Sequence, residues 1–136
     1  MDSESQPSPR LVEQRIRTRI IEYLELASSF DAQIEYESAE TIAFVPDEVI
    51  EQWADWNPVD HSRWPERLTD PYSGEEIAAM QTFHTEWEWV IKHVPKPLPE
   101  LARTQQLPEW QRLREAAEAA LRAFEERGRL PEDREV

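Results

Sequence analysis

The 136-residue sequence predicts an all-α protein that folds as a single compact bundle of about four helices with one long ordered loop. Apolar residues recur at spacings of three and four in four segments, which is the period of an α-helix that buries one face. Capping residues and prolines mark the ends of these segments. A chain of this length fits one domain and can bury about 70% of the surface that it exposes when unfolded.

The first helix is predicted to begin near Pro9, after a polar tail at residues 1–9 that we expect to be disordered. Its apolar stripe consists of Val12, Ile16, Ile20, Tyr23, Leu24 and Ala27. Its first half carries Arg10, Arg15, Arg17 and Arg19, and its second half carries Glu22 and Glu25. This order of charges opposes the helix macrodipole, so we expect the arginines to pair with the acidic segment that follows.

Residues 33–45 leave two structures open. Ser28 and Ser29 can cap a helix that continues through Phe30 and Ile34, and we favour this interpretation. The alternation in QIEYE (33–37) is also compatible with one short strand or hairpin near 33–45, because periodicity over so few residues fits both.

A short helix is predicted over about 46–57, since proline suits the first turn of a helix and acids are favoured at its positive end. On a helical wheel, one face carries Glu48, Glu51, Gln52 and Asp55, and the other carries Val49, Ile50 and Trp53. The segment NPVDHSRWPERLTDP (57–71) contains several turn-forming and helix-ending pairs. It is predicted to be a long ordered loop that Trp64 fastens to the core.

The third helix has the clearest boundaries. Ser73 and Glu76 have the spacing of a capping box, and Tyr72 and Ile77 that of a hydrophobic staple. The helix is predicted to end before Pro95. A last helix is predicted from Pro108, with Gly128 and Pro131 ending it and residues 131–136 forming a flexible C-terminus. The single helical domain therefore covers residues 10–130.

Composition excludes several classes of protein. The chain has no cysteine and two glycines, so it contains no disulfide, no thiolate site, no glycine-rich phosphate loop and no nucleophile elbow. Neither a membrane span nor a secretory signal is visible, and the protein is predicted to be cytoplasmic.

Negative charge is the dominant bulk property. The chain carries 29 acidic and 15 basic side chains, a formal net charge of −14. Residues 31–60 contain nine acidic side chains and no lysine or arginine. Such a chain is repelled by nucleic acid and by anionic lipid, so the expected partner is a protein with a basic surface. The alternative is an acidic face that serves only solubility.

The stretch FHTEWEWVIKH (83–93) invites a chemical interpretation. His84 and Glu88 are one helical turn apart and could orient a general base or supply two metal ligands. A zinc site needs three or four ligands, and His93 falls on another flank of the helix while His61, beside Asp60, falls in the loop. We therefore favour a histidine at the margin of the core and assign no catalytic, metal or cofactor residue.

Two tryptophans are candidate anchors for a partner. Trp89 projects from the side of the third helix opposite Trp87, where it either packs under the 57–71 loop or lies at a binding surface. Trp56 lies at the edge of the acidic helix and leaves the same choice open. Trp53 and Trp110 are predicted to be core residues.

The stretches EYLELASSF (22–30), VPDEVIEQWADW (45–56) and SGEEIAAMQTFHTEW (73–87), within residues 16–90, give the chain a family resemblance. In these stretches, and in its size, charge and helical pattern, it resembles small acidic bacterial immunity proteins of contact-dependent or secreted toxin systems. The resemblance implies a cytosolic inhibitor that binds a cognate toxin domain, often a nuclease or another enzyme with a basic cleft, by blocking or distorting that cleft. It assigns no individual residue.

Charge and aromatic content supply the candidate site. Carboxylates would steer and hold a basic partner, and an aromatic side chain would anchor it. The candidate partner-binding residues are Glu35, Glu37, Asp47, Glu48, Glu51, Asp55, Trp56, Asp60 and Trp89. A regulator or adaptor that binds a basic host protein through the same surface is the main alternative function.

Overall fold

The computed structural model describes residues 6–39, 42–56 and 71–136, and within these ranges the chain is all-α, as predicted. The described helices are α1 (Pro9–Ala27), α2 (Phe30–Ala39), α3 (Val45–Trp56), α4 (Gly74–His93), α5 (Leu101–Thr104) and α6 (Pro108–Glu125). The predicted loop at 57–71 lies almost entirely outside the described residues, and Trp64 and Asp60 lie there with it. The sequence pattern does not predict the four-residue α5.

The alternative of a strand near 33–45 is wrong for the residues described there, because 30–39 form α2 and α3 begins at Val45. The Ser29 hydroxyl accepts a hydrogen bond from the Ala32 N–H at 3.0 Å, which supports the first turn of α2. Gln33 is fully buried, and its amide nitrogen donates to the Leu26 and Ala27 carbonyls at the end of α1. Its amide oxygen accepts the Trp110 indole N–H at 3.1 Å. With residues 30–39 in a helix, both the nitrogen and the oxygen of the buried Gln33 amide have hydrogen-bond partners.

The core lies where α1 packs against α3 and α6, and where α4 packs against α6. Trp53 and Phe83 meet edge to face with ring centroids 4.7 Å apart, and Tyr23 lies 5.7 Å from Trp53. The Tyr23 hydroxyl donates to the Val49 carbonyl at 2.8 Å, so the buried ring carries a satisfied polar group. Trp53 and Trp110 are both 1% exposed, which confirms their prediction as core residues.

The predicted capping box of α4 is confirmed. The Ser73 hydroxyl accepts the Glu76 N–H, and the Glu76 carboxylate accepts the Ser73 N–H, each at 3.1 Å. The Tyr72 and Ile77 side chains beside them are both buried. The start of α4 is therefore fixed by residues that are local in sequence.

The Glu76 carboxylate also receives two arginines. Arg17 of α1 donates to both of its oxygens, at 2.8 and 3.1 Å, and Arg127, just after α6, donates to both at 2.6 and 3.1 Å. Glu76 is 1% exposed and Arg17 is fully buried. The remaining guanidinium nitrogen of Arg17 donates to the Gly128 carbonyl at 2.7 Å. One carboxylate thus joins α1, α4 and the end of α6.

The predicted pairing of the α1 arginines with residues 31–60 is wrong for Arg17 and Arg19. Arg17 pairs with Glu76, and Arg19 pairs with Glu132 at 2.8 Å and with Glu22 at 3.4 Å. Both partners are brought to α1 by the tertiary structure: Glu76 is on α4, and Glu132 is in the segment that follows the last helix and returns to α1.

Residues 129–136 run along α1 from Glu25 back towards its first turns. Arg129 pairs with Glu25 at 2.7 Å. The buried Gln14 donates to the Pro131 and Arg134 carbonyls, each at 2.8 Å, and accepts the Val136 N–H at 3.0 Å. Gly128 takes a positive φ of 72° where the chain turns out of α6, a conformation that glycine adopts without strain. The segment predicted as a flexible terminus therefore lies hydrogen-bonded against α1.

Replacing Glu76 by Gln is expected to lower the free energy of unfolding at pH 7 by about 3 kcal/mol. The substitution leaves the buried Arg17 without its anion while it conserves the size of the side chain. Urea unfolding with matched slopes measures the effect. The control is Glu75→Gln, one residue earlier and exposed, for which a change within about 0.5 kcal/mol is expected. Equal losses for the two variants would contradict the role assigned to Glu76.

The contribution of Glu76 is expected to disappear in acid. Burial raises the pKa of the Glu76 carboxyl, but hydrogen bonds from Arg17, Arg127 and the Ser73 N–H lower it by more, so its pKa lies below the ordinary value. The stabilisation is therefore complete above the unfolded-state pKa of about 4.3 and is lost as the pH falls through the lower folded-state value. The difference in unfolding free energy between wild type and Glu76→Gln should be constant near neutrality and shrink below about pH 4. A difference that stays constant into strong acid would refute the coupling.

Candidate partner-binding surface

Six of the acidic residues predicted to bind a partner lie on two neighbouring helices, and the seventh, Asp60, lies outside the described residues. On α3, the buried residues are Val45, Pro46, Val49 and Trp53, and this fixes which face of the helix meets solvent. Asp47, Glu51 and Asp55 are exposed there, and Glu48 is half-buried. Glu35 and Glu37 are exposed on α2, which contacts α3. We refer to Glu35, Glu37, Asp47, Glu48, Glu51 and Asp55 as the acidic surface.

Within the described part of the chain, no lysine or arginine forms an ion pair with the acidic surface. Glu48 accepts a hydrogen bond from the neutral Gln52 at 3.2 Å. Some acids elsewhere differ, because Glu25, Glu76 and Glu86 each form an ion pair with an arginine. The local excess of negative charge seen in the sequence thus persists on the folded surface, where it can act on a charged partner.

The two predicted tryptophan anchors differ in their surroundings. Trp56, the last residue of α3, is partly buried against the core at the edge of the acidic surface. The Trp89 ring lies 3.8 Å from the Arg112 guanidinium of α6 and stacks on His93 with centroids 4.0 Å apart. Arg112 also binds the Glu86 carboxylate at 2.6 Å and lowers its pKa. Arg112 therefore ties Trp89 to the contact between α4 and α6, while the 57–71 loop proposed to cover it lies outside the described residues.

A groove that the sequence did not reveal runs beside the acidic surface. It lies between α3, the end of α4 and residues 94–98, and has a volume of about 170 Å³. Its walls include Ile50, Ile91, Val94 and Leu98, and Asp47 and Glu51 stand on the α3 side. We refer to it as the connector groove. The structure thus brings two of the predicted carboxylates together above an apolar cleft.

Three exposed apolar side chains flank the acidic surface in sequence. Ile34 is 49% exposed on α2, and Ile42 and Phe44, just before α3, are 94% and 41% exposed. Apolar and acidic residues alternate in 33–37, but the apolar Ile34 of this stretch is exposed and does not face the core. A contiguous patch of exposed apolar side chains marks an interaction site, whereas single exposed apolar residues are ordinary.

The geometry around His84 favours a structural role. The Trp53 indole N–H donates to His84 Nδ1 at 3.0 Å, and His84 Nε2 lies 3.5 Å from the Glu88 carboxylate. An indole nitrogen can only donate, so Nδ1 is the acceptor and the imidazole proton of the neutral ring is on Nε2, facing Glu88. A metal at Nε2 would displace this proton and force a second donor towards the Trp53 N–H.

No cluster of three or more potential metal ligands occurs among residues 6–39, 42–56 and 71–136. His93 Nδ1 lies 2.7 Å from the Trp89 carbonyl, one turn back on the same helix, and His61 lies outside these ranges. Each described histidine thus has a local partner that accounts for its position.

Replacing His84 by Ala is expected to cost about 1–3 kcal/mol of unfolding free energy, because it removes the acceptor of the nearly buried Trp53 N–H. Thermal or urea unfolding followed by tryptophan fluorescence measures the loss. Glu88→Gln is the matched control, and a change within about 0.5 kcal/mol is expected because this carboxylate is on the surface. An unchanged stability of His84→Ala, together with loss of a measurable catalytic activity, would instead support the chemical interpretation.

None of the helices in the described ranges combines the length and the apolarity that crossing a bilayer requires. Models of protein families, curated proteins and solved structures were each compared with the chain, and none of them matches it. The function is therefore inferred from the charge, exposure and shape of the surface on α2 and α3.

Proposed function

We propose that the protein is an immunity protein that binds and neutralises a cognate bacterial toxin domain, a basic enzyme such as a nuclease, in the cytosol. The observation that carries this proposal is the acidic surface, whose carboxylates have no lysine or arginine partner among the described residues. The sequence resemblance to small acidic immunity proteins supplies the class of partner.

Electrostatics explains why such a surface suits this task. A nuclease presents lysine and arginine to the phosphates of its substrate, so an array of carboxylates is complementary to the same field. Asp47, Glu51 and Asp55 follow one exposed face of α3 at intervals of four residues, which gives the array a rigid helical support. The same charge repels nucleic acid, so the inhibitor does not compete for the substrate itself.

Apolar contacts supply the short-range energy that charge alone does not provide. Trp56 lies at one end of α3, and the exposed Ile42 and Phe44 precede its other end. Apolar side chains therefore border the acidic surface, and a partner that covers them would remove them from water. Charge then governs the rate of association, and these contacts govern the rate of dissociation.

The test begins with capture of the toxin from the native cells at low and moderate salt, followed by association kinetics with the purified domain. The triple variant Glu48→Gln, Glu51→Gln, Asp55→Asn is expected to associate about tenfold more slowly at low ionic strength, with a flatter salt dependence. Its unfolding free energy should stay close to that of the wild type, since Glu51 and Asp55 are exposed and the half-buried Glu48 is replaced by a glutamine of the same size.

The matched control is Glu115→Gln, Glu118→Gln, Glu125→Gln on α6, which changes the net charge by the same amount on another face. Equal association rates for the two triple variants would refute the assignment of the acidic surface. Recovery of a basic host protein in place of a toxin, with the same sensitivity to the α3 substitutions, would establish the regulator or adaptor.

A further inference from the structure

We infer that the connector groove receives one apolar side chain from a segment of the partner protein in which lysine or arginine flanks that side chain. This inference rests on the proposed binding function and specifies the chemistry of the segment that is bound. It concerns residues that the acidic surface by itself does not include, because the walls of the groove come from two separate parts of the chain, α3 and residues 91–98.

The size of the groove suits a single side chain. Its volume of about 170 Å³ is close to that of cavities of about 150 Å³ that accommodate benzene. Val94 is 8% exposed, while Ile50, Ile91 and Leu98 are half-buried and present apolar surface to the opening. One aromatic ring or one branched aliphatic side chain would bury this surface.

Charges at the edge of the groove define what flanks that side chain. Asp47 and Glu51 are four residues apart on α3, so their carboxylates are neighbours on one face of the helix. Lys96 supplies a single positive charge among the lining residues, and no ion pair joins it to either carboxylate. Two carboxylates against one ammonium leave a negative edge, which favours a basic segment and disfavours an acidic one.

A second copy of the chain fits this groove poorly. Two molecules with a net charge of −14 repel each other. Several arginines of the chain, moreover, already bind its own carboxylates, as Arg17, Arg112 and Arg129 do. An uncharged small molecule could occupy the apolar part of the groove but would form no ion pair with Asp47 or Glu51. A basic protein segment uses both parts of the site.

Four short capped peptides test the inference without the toxin: Gly-Arg-Leu-Arg-Gly, the same peptide with Ala in place of Leu, and both of these with Glu in place of Arg. Amide chemical shifts of the ¹⁵N-labelled protein are followed during titration. The Arg-Leu-Arg peptide should shift the amides of Ile50, Ile91 and Leu98 and bind about tenfold more tightly than the Arg-Ala-Arg peptide. The Glu peptides should not shift these amides.

Two variants locate the binding. Ile91→Trp fills the groove and should abolish the shifts, whereas Leu121→Trp fills a separate groove between α1 and α6 and should not. Asp47→Lys with Glu51→Lys changes exposed residues only and should reverse the preference, so that the Glu-Leu-Glu peptide binds and still requires its leucine. The charge-reversed variant keeps the inference testable if Ile91→Trp does not fold.

Several results would overturn the inference. These are equal affinity for the leucine and alanine peptides, equal affinity for the arginine and glutamate peptides, and no shift at the groove amides up to about 5 mM peptide. Shifts that depend on protein concentration without any peptide would identify a second copy as the occupant.

With the purified toxin, Ile91→Trp separates the two proposals. Normal binding by this variant, combined with slow association of the α3 triple variant, would refute the groove alone. Normal binding by both variants would refute the groove and the acidic surface, whereas absence of any bound toxin with the wild-type protein would refute the proposed function.

Discussion

The arrangement of the helices depends on the hydrogen bonds and ion pairs that the Glu76 carboxylate forms. It closes the capping box at the start of α4 and holds Arg17 of α1 and Arg127 after α6, all at one point that is nearly inaccessible to water. A buried charge is tolerated only when its partners are in place, so these three parts of the chain cannot separate independently. Arg17 also donates to the carbonyl of Gly128, the residue at which the chain turns back along α1.

This internal pairing has a consequence for the surface. Arg17 pairs with Glu76, Arg19 with Glu132 and Arg129 with Glu25. These three arginines therefore form ion pairs on or beside α1 and do not reach the acids of α2 and α3. The acids of α2 and α3 are left facing solvent. The charge asymmetry that the sequence shows therefore becomes an asymmetry between faces of the folded protein, and a basic partner would meet a negative field on one side.

Much of the fold could be read from local patterns. Spacings of three and four predicted the long helices, and Ser73 with Glu76 predicted the start of α4, because capping depends on residues three positions apart. The same periodicity predicted the exposed face of α3 in part, because Glu51 and Asp55 are exposed whereas Glu48 and Gln52 are half-buried. The structure of the short stretch around QIEYE could not be predicted in this way, because its pattern fits both a helix and a strand. The helix is decided by the burial of Gln33 against Trp110, a contact between residues far apart in sequence.

The sequence by itself determined the helical class, the ends of the strongest helices, the core tryptophans and the uneven charge, since each of these depends on composition or on neighbours within one or two turns. Only the tertiary structure decided that Glu76 serves two arginines, that the C-terminal segment pairs with α1, that Arg112 covers Trp89, and that residues 94–98 form a groove with α3. These features join residues from distant parts of the chain, and no local period encodes which segments meet.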